Sequence, residues 1–292
     1  MDQFIVSQDL PHLPEITGRP VLMKLGHHTN TWGGVFGHPG GVTSIKDHFY
    51  LSPGFMDQAI REIAAAGYQG FELFDGNLAT YENRKTDFRT LLRQTGITFQ
   101  AVYCGANFIY PDILPDELWR IQKTVSLAAE LGAEVLVLGG GALRADGRQK
   151  DDLTHLAEGL NKVAEIARLS GMIACYHPHH GTLVETPSEI SSLLRLTTIG
   201  LCPDTGHIVE AGGNPADIIR QYQQRVRYVH LKDYRRGEFT LLGRGDVNVP
   251  AILSELRAMA FDGWITVEID RYDGPPGEAA RSAMNYLKSL EQ

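Results

Sequence analysis

The chain has 292 residues, 43% of them apolar and 21% charged. These are ordinary values for an enzyme-sized globular protein, and the length suits one α/β barrel without requiring two domains. A formal net charge of −8 excludes the broad basic face that nucleic acid or an anionic membrane surface needs, and the short pair Arg235-Arg236 reads as a solvated loop.

Residues 1–19 carry no basic-then-apolar leader pattern and lie outside the repeat that follows. They are expected to form an arm on a single domain spanning 1–292. No window offers the roughly 18 uninterrupted apolar residues of a membrane span, so a cytoplasmic protein is expected. Cys104, Cys175 and Cys202 are odd in number, far apart and set within or just after apolar runs. Buried free thiols in a reducing compartment fit them better than a disulfide frame.

From residue 21 onward one unit recurs: an apolar run, a turn rich in Gly, Asn or His, and an amphipathic helix. The apolar runs are 21–26, 70–74, 98–103, 135–138, 172–176, 199–202, 226–231 and 264–269. Helix-period segments separate them. Residues 56–67 put Ala59, Ile60 and Ile63 on one face; 116–132 align Leu118, Ile121, Val125, Ala128 and Leu131 between Pro115 and Gly132; 151–171 align Leu156, Leu160, Val163 and Ile166. Shorter helices follow from Thr186, Asn214, Val249 and about Gly277. Fully apolar strands alternating with amphipathic helices imply a parallel sheet covered by helices, and eight such units predict a (β/α)8 TIM barrel. An open doubly wound sheet is disfavoured: Gly139-Gly140-Gly141 has neither the dinucleotide spacing nor a following Lys-Ser/Thr.

Barrel chemistry gathers at the carboxyl ends of the strands. The first run ends at His27-His28, followed by Trp32; the second supplies Glu72 and Asp75; the third Cys104 and Asn107; the fourth only glycines, which leave room. The last four deliver His177 and His179, then Asp204 and His207, then His230 and Lys232, then Glu268 and Asp270. A lone strand-end histidine is most often a hydrogen-bonded structural residue, and Asp204-Thr205-Gly206 is ordinary turn chemistry. Glu268 resists that explanation. A carboxylate between Val267 and Ile269 in a buried strand costs several kcal/mol unless a charge or metal meets it. His177, Asp204, His230 and Glu268 together are the donor set of a divalent metal, with Mn2+, Fe2+, Co2+ or Zn2+ suited better than Mg2+.

The ordered motifs PDTGH (203–207), VHLKD (229–233), LGRGDVN (242–248) and WITVEID (264–270) resemble the xylose-isomerase-like barrels of the sugar isomerase/epimerase superfamily. That resemblance implies a metal held by Glu, Asp, His and Glu from four strands. Here His177 stands where a Glu-Pro-His-x-Gly segment would supply the first glutamate. The segment Tyr176-His177-Pro178-His179-His180-Gly181-Thr182 resembles the inosose dehydratases. The expected function is therefore a metal-dependent lyase, most simply with Mn2+, that removes water from a keto-inositol or keto-sugar through an enediolate. Glu268, then His179, are the expected bases. His207, His179 or His27 would protonate the leaving hydroxyl, Lys232 would hold a substrate oxygen, and His27, Trp32 and Glu72 would contact substrate. Phe108 is expected in the core.

A ketose isomerase or 3-epimerase, or a 3-keto-glycoside-cleaving eliminase, would use the same metal site. A DNA-repair endonuclease of the same barrel is opposed by the net charge, and a non-catalytic sugar-binding protein by the metal set. The expected partner is a small keto-sugar or keto-inositol, with no nucleic acid and no membrane; a homo-oligomer is compatible with the sequence.

Overall fold

A computed structural model describes residues 23–32, 49–270 and 272–290. The expected arm at 1–19, and the start of the first expected strand, fall outside them. Within them the repeat closes into a barrel. Its strands are β1 (Lys24–His28), β2 (Gly70–Phe74), β3 (Thr98–Ala106), β4 (Val135–Gly140), β5 (Ile173–Tyr176), β6 (Gly200–Leu201), β7 (Tyr228–Leu231) and β10 (Trp264–Val267). All pair in parallel, in the order β6-β5-β4-β3-β2-β1-β10-β7. Two isolated parallel bridges, Leu201 to Val226 and Asp204 to His230, join β6 to β7 and complete the circuit.

The covering helices are α1 (Met56–Ala65), α4 (Leu114–Leu131), α5 (Asp152–Leu169), α6 (Pro187–Leu194), α8 (Pro215–Gln221), α9 (Val249–Ala258) and α10 (Pro276–Ser289). Their ends follow local chemistry. Thr186 and Glu189 form a reciprocal capping box on α6, Asn214 and Asn248 cap α8 and α9, and Gly132 ends α4 at φ +99°. The sequence reading did not place α2 (Asp75–Ala79) and α3 (Lys85–Thr95), which lie between β2 and β3. α3 buries only Phe88 and Leu91 and is otherwise largely polar, so its periodic signal is thin. A short hairpin, β8 (Asp233–Arg235) with β9 (Glu238–Thr240), also appears after β7; its turn puts Arg236 and Gly237 at positive φ and leaves the arginine pair exposed.

Strand side chains alternate between two cores. Phe71, Leu73, Leu136, Leu138, Val229 and Leu231 face the helices. Phe74, Tyr103, Val135, Val137, Cys175, Cys202, Tyr228 and Trp264 form a second cluster inside the barrel. Phe108 is fully buried, as expected. Below the carboxyl rim the interior holds a polar plug: the Gln100 amide donates to Tyr228 Oη and Thr266 Oγ1, each at 2.6 Å. Gly26 and Gly70 are glycines because a Cβ at either position would overlap the Gln100 side chain.

Candidate metal centre

The barrel interior is entered by every second residue of a strand, and the last four strands carry that phase past their ends. Cys175 leads to His177, Cys202 to Asp204, Tyr228 to His230 and Lys232, and Thr266 to Glu268 and Asp270. The ladder sets their height. His177 N donates to Leu138 O at 2.8 Å, His230 N to Pro203 O at 3.1 Å and Glu268 N to Leu231 O at 3.1 Å. His177, Asp204, His230 and Glu268 thereby converge, each offering one donor atom within 4.8 Å of the others. All four are buried.

Asp204 does two things at once. Its Oδ1 accepts from His207 N at 2.9 Å and caps α7 (Thr205–Glu210), as a turn aspartate does. Its Oδ2 faces the Lys232 ammonium at 3.3 Å. His177 Nδ1 is buried without a hydrogen-bond partner, while His230 Nδ1 and Glu268 Oε2 face one another at 2.9 Å. A buried His/Asp/His/Glu set that converges nitrogen and oxygen donors in this way is the kind of site a divalent cation takes. The charge balance agrees: the carboxylates of Asp204, Glu268 and Asp270 surround the Lys232 ammonium, and a fourth, that of Glu72, lies against the His230 ring. The residues present therefore fit a divalent ion.

Glu72 orients this set from below. Its Oε2 accepts from Tyr228 Oη at 2.8 Å and from His230 Nε2 at 2.9 Å. Thr266 Oγ1 donates to Tyr228 Oη at 2.7 Å, tying the polar plug to the site. Anchored through Nε2, His230 turns Nδ1 toward Glu268 Oε2, 2.9 Å away. Burial opposes charge on His230, but Glu72 and Glu268 outweigh it and push the imidazole pKa up. Burial pushes Asp204 up to about 7 despite Lys232. Burial also acts to raise Glu268, yet Lys232 and His230 hold it well below the usual carboxylate range. Lys232 is buried, which disfavours its charge; Asp204, Asp270 and Glu268 at 3.3, 3.1 and 3.2 Å keep it an ammonium.

Above the cluster opens a cavity of about 750 Å³. His177, His179, Glu268 and Asp270 line it together with Tyr50, Tyr103, Tyr110 and Leu143. The glycines after β4 border it, as their size suggested. His179 Nδ1 lies 2.6 Å from His180 O. A carbonyl only accepts, so Nδ1 carries the proton and Nε2 keeps its lone pair. The His179 and His207 rings are 3.9 Å apart between centroids. His207 Nε2 is 3.2 Å from the Lys232 ammonium and its Nδ1 is 3.5 Å from Glu210 Oε2. Neither His207 nor Lys232 is among the residues bordering the cavity.

The three residues expected to contact substrate sit elsewhere. His27 points out of the barrel, its ring edge-on to Trp32 and Tyr68. Trp32 Nε1 donates to Glu62 Oε2 at 2.7 Å. Glu72 lies beneath His230 and does not border the cavity. Strand alternation gives the reason. On β1 the interior position is His28, packed against Phe74, Tyr103 and His230. Sequence reasoning left His28 without a role, and the period-two phase of β1 was the signal that marked it. Asn30 was also missed; its amide donates to Glu268 Oε1 at 3.3 Å and Asp270 Oδ1 at 3.1 Å.

A closed parallel barrel with an acid/imidazole cluster on the carboxyl rim defines a class, and the chain belongs to the xylose isomerase-like TIM barrel family, whose model matches residues 60–290. Within it the chain is similar to inosose dehydratases. It is 29% identical over 286 residues to that of Geobacillus kaustophilus, covering 85% of this chain and 90% of the relative. It is 31% identical over 271 residues to that of Mesomycoplasma hyopneumoniae strain J, covering 80% and 88%. Among solved structures, a D-tagatose 3-epimerase-like protein superposes with a TM-score of 0.72 at 18% identity, over 92% of this chain and 97% of that one. At that identity the likeness speaks for the fold alone.

Proposed function

We propose that this chain is a metal-dependent carbon–oxygen lyase that eliminates water from a cyclic keto-polyol of the inosose type. The observation that carries the proposal is the buried four-residue donor cluster, whose candidate ligand atoms all lie within 4.8 Å of one another. The similarity to inosose dehydratases over most of the chain supports the direction of the chemistry.

His177, Asp204, His230 and Glu268 would hold the ion, for which Mn2+ is the first choice by donor type. When bound, it would polarise a substrate ketone and lower the pKa of the adjoining C–H by favouring the enediolate. The protein's own residues do the rest. Glu72 fixes the His230 ring, and Asn30 and Lys232 fix Glu268. His179 borders the cavity with Nε2 free to accept, which ranks it ahead of Glu268 as the base. It takes the proton from carbon and returns a proton to the departing β-hydroxyl. The C–O bond breaks and water leaves. His207, engaged by Lys232 and Glu210, positions His179 by ring contact. Buried free Cys104, Cys175 and Cys202 suit a reducing, cytoplasmic setting.

The test is to strip the protein with chelator, restore Mn2+ and supply 2-keto-myo-inositol. Product one water lighter is expected; unchanged mass points to an isomerase or epimerase. His177→Ala and Glu268→Gln are expected to lose both Mn2+ binding and turnover. His179→Asn should keep Mn2+ binding and lose at least about a hundredfold in kcat. Full activity in any of the three, or activity indifferent to chelator, overturns the proposal.

A further inference from the structure

Two carboxylates leave the end of β10 two residues apart, Glu268 and then Asp270, and the same two donors clamp both. Asn30 Nδ2 donates to Glu268 Oε1 at 3.3 Å and to Asp270 Oδ1 at 3.1 Å. Lys232 Nζ lies 3.2 Å from Glu268 Oε2 and 3.1 Å from Asp270 Oδ2. Asn30 and Lys232 are themselves buried, so the two acids are held side by side. Their surroundings differ. Glu268 is one of the four converging donors, and its side chain is 7% exposed. Asp270 stands outside that set, borders the cavity and is 26% exposed. The elimination itself makes no use of it.

A carboxylate accepts hydrogen bonds and never donates them, and its two oxygens offer about four lone-pair sites. Asn30 and Lys232 take one on each Asp270 oxygen. That leaves one on each oxygen for a ligand. Asn107 and Thr182, in the same lining, carry an amide and a hydroxyl, which can meet either a donor or an acceptor. Asp270 can meet only donors. A ligand that covers it without supplying them strips its water and returns nothing, which is a penalty rather than a neutral contact. The neighbouring ring must therefore carry O–H groups at that edge.

We infer that Asp270 is a specificity-determining residue, which accepts hydrogen bonds from two neighbouring hydroxyls of the substrate ring, one on each oxygen. The inference rests on the keto-polyol reading above and narrows it. The ketone edge of the ring belongs to the donor cluster, and a free vicinal diol belongs to Asp270. Rings with a deoxy carbon, a carbonyl or an ether at either of those two positions are disfavoured, because each leaves one Asp270 oxygen without its donor.

Rings that cannot react test it first. Isothermal titration in the presence of Mn2+ compares myo-inositol, which has no ketone, with its monodeoxy counterparts, each lacking one hydroxyl. The wild type is expected to bind myo-inositol at least about tenfold tighter than the two counterparts that lack a member of one adjacent pair. In Asp270→Ala that preference should fall below about threefold, and KM for 2-keto-myo-inositol should rise about tenfold with kcat little changed. Asp270→Asn keeps one acceptor oxygen and nearly the same shape. It should fall between the two, and it carries the test if circular dichroism shows that the alanine variant does not fold. Mn2+ affinity should be the same in all three proteins, because Asp270 is not a ligand; a tenfold loss means that Asp270 acts through Glu268 or Lys232 and overturns direct recognition. No measurable binding of myo-inositol, no preference in the wild type, or a preference that survives both substitutions also overturns it. Product mass separates the two claims. A wild type that reads the hydroxyls yet leaves 2-keto-myo-inositol unchanged in mass sinks the dehydratase assignment and keeps the role of Asp270, whereas loss of water with no hydroxyl preference does the reverse.

Discussion

At the scale of single residues, His27 shows what it costs to turn an imidazole away from water. It is fully buried, with Nδ1 2.7 Å from His28 O. Burial pushes its pKa down from 6.5 to about 4, and the His28 contact only partly offsets that. The ring is therefore neutral in the folded protein at pH values where the unfolded chain protonates it. Its contribution to stability is complete above pH 6.5 and is lost as pH falls toward 4. With 1.36 kcal/mol per pKa unit, the shift from 6.5 to about 4 corresponds to roughly 3 kcal/mol at most. His27→Asn should flatten that window. Urea unfolding of both proteins at pH 7.5 and at about pH 4 measures it, and a wild-type advantage that does not shrink with acid refutes the assignment. The same residue marks where sequence reading fell short. His27 and His28 are equivalent as letters; only the strand's phase sends one toward the candidate donor cluster and the other toward Trp32.

At the scale of elements, motif letters divide into chemistry and scaffolding. Asp233 ends the VHLKD segment, yet it faces no donor of the cluster. Its carboxylate accepts from Tyr234 N, Gly243 N, Gly245 N and Val247 N at 2.9, 2.9, 2.9 and 3.1 Å. One side chain thus folds the LGRGDVN loop back onto the end of β7 and holds Lys232 beside it. Gly243 takes φ +83°, and a Cβ on Gly245 would overlap the Asp233 carboxylate, so both glycines are explained by that tie. Removing it in Asp233→Ala leaves several amides without their acceptor, for a loss of about 2–4 kcal/mol in thermal or urea unfolding. Proteolysis should open within 236–246 before the barrel melts. A variant that is as stable and as resistant as the parent contradicts this. The strands and most helices were legible because each carries its own period. Helix α3, with two buried apolar residues, and the loop tied by Asp233 were not, because their order comes from partners distant in the chain.

At the scale of the whole molecule, eight β/α units announced the barrel, and the four strand-end donors announced the cluster. What the sequence did not carry is which groups meet across the barrel. Lys232 reaching Asp204, Glu268 and Asp270 is a consequence of closure, as is Glu72 reaching His230 from β2. Closure is weakest at one seam. β6 is two residues long, and among the described residues its backbone ladder to β7 is reduced to the Leu201–Val226 and Asp204–His230 bridges. Asp204 and His230 are also two of the four proposed ligands, so an ion held between them would span the seam, with Glu268 extending the hold to the next strand. Binding of Mn2+ at about 100 times its Kd should then stabilise the protein by roughly 2.7 kcal/mol. More specifically, it should slow hydrogen exchange at Arg227 N and His230 N, which donate across the seam to Leu201 O and Pro203 O at 3.0 and 3.1 Å. Asp204→Asn should weaken both effects together. If Mn2+ raises stability while those two amides exchange as fast as before, the ion is bound somewhere other than the seam, and the four-residue centre is the wrong site.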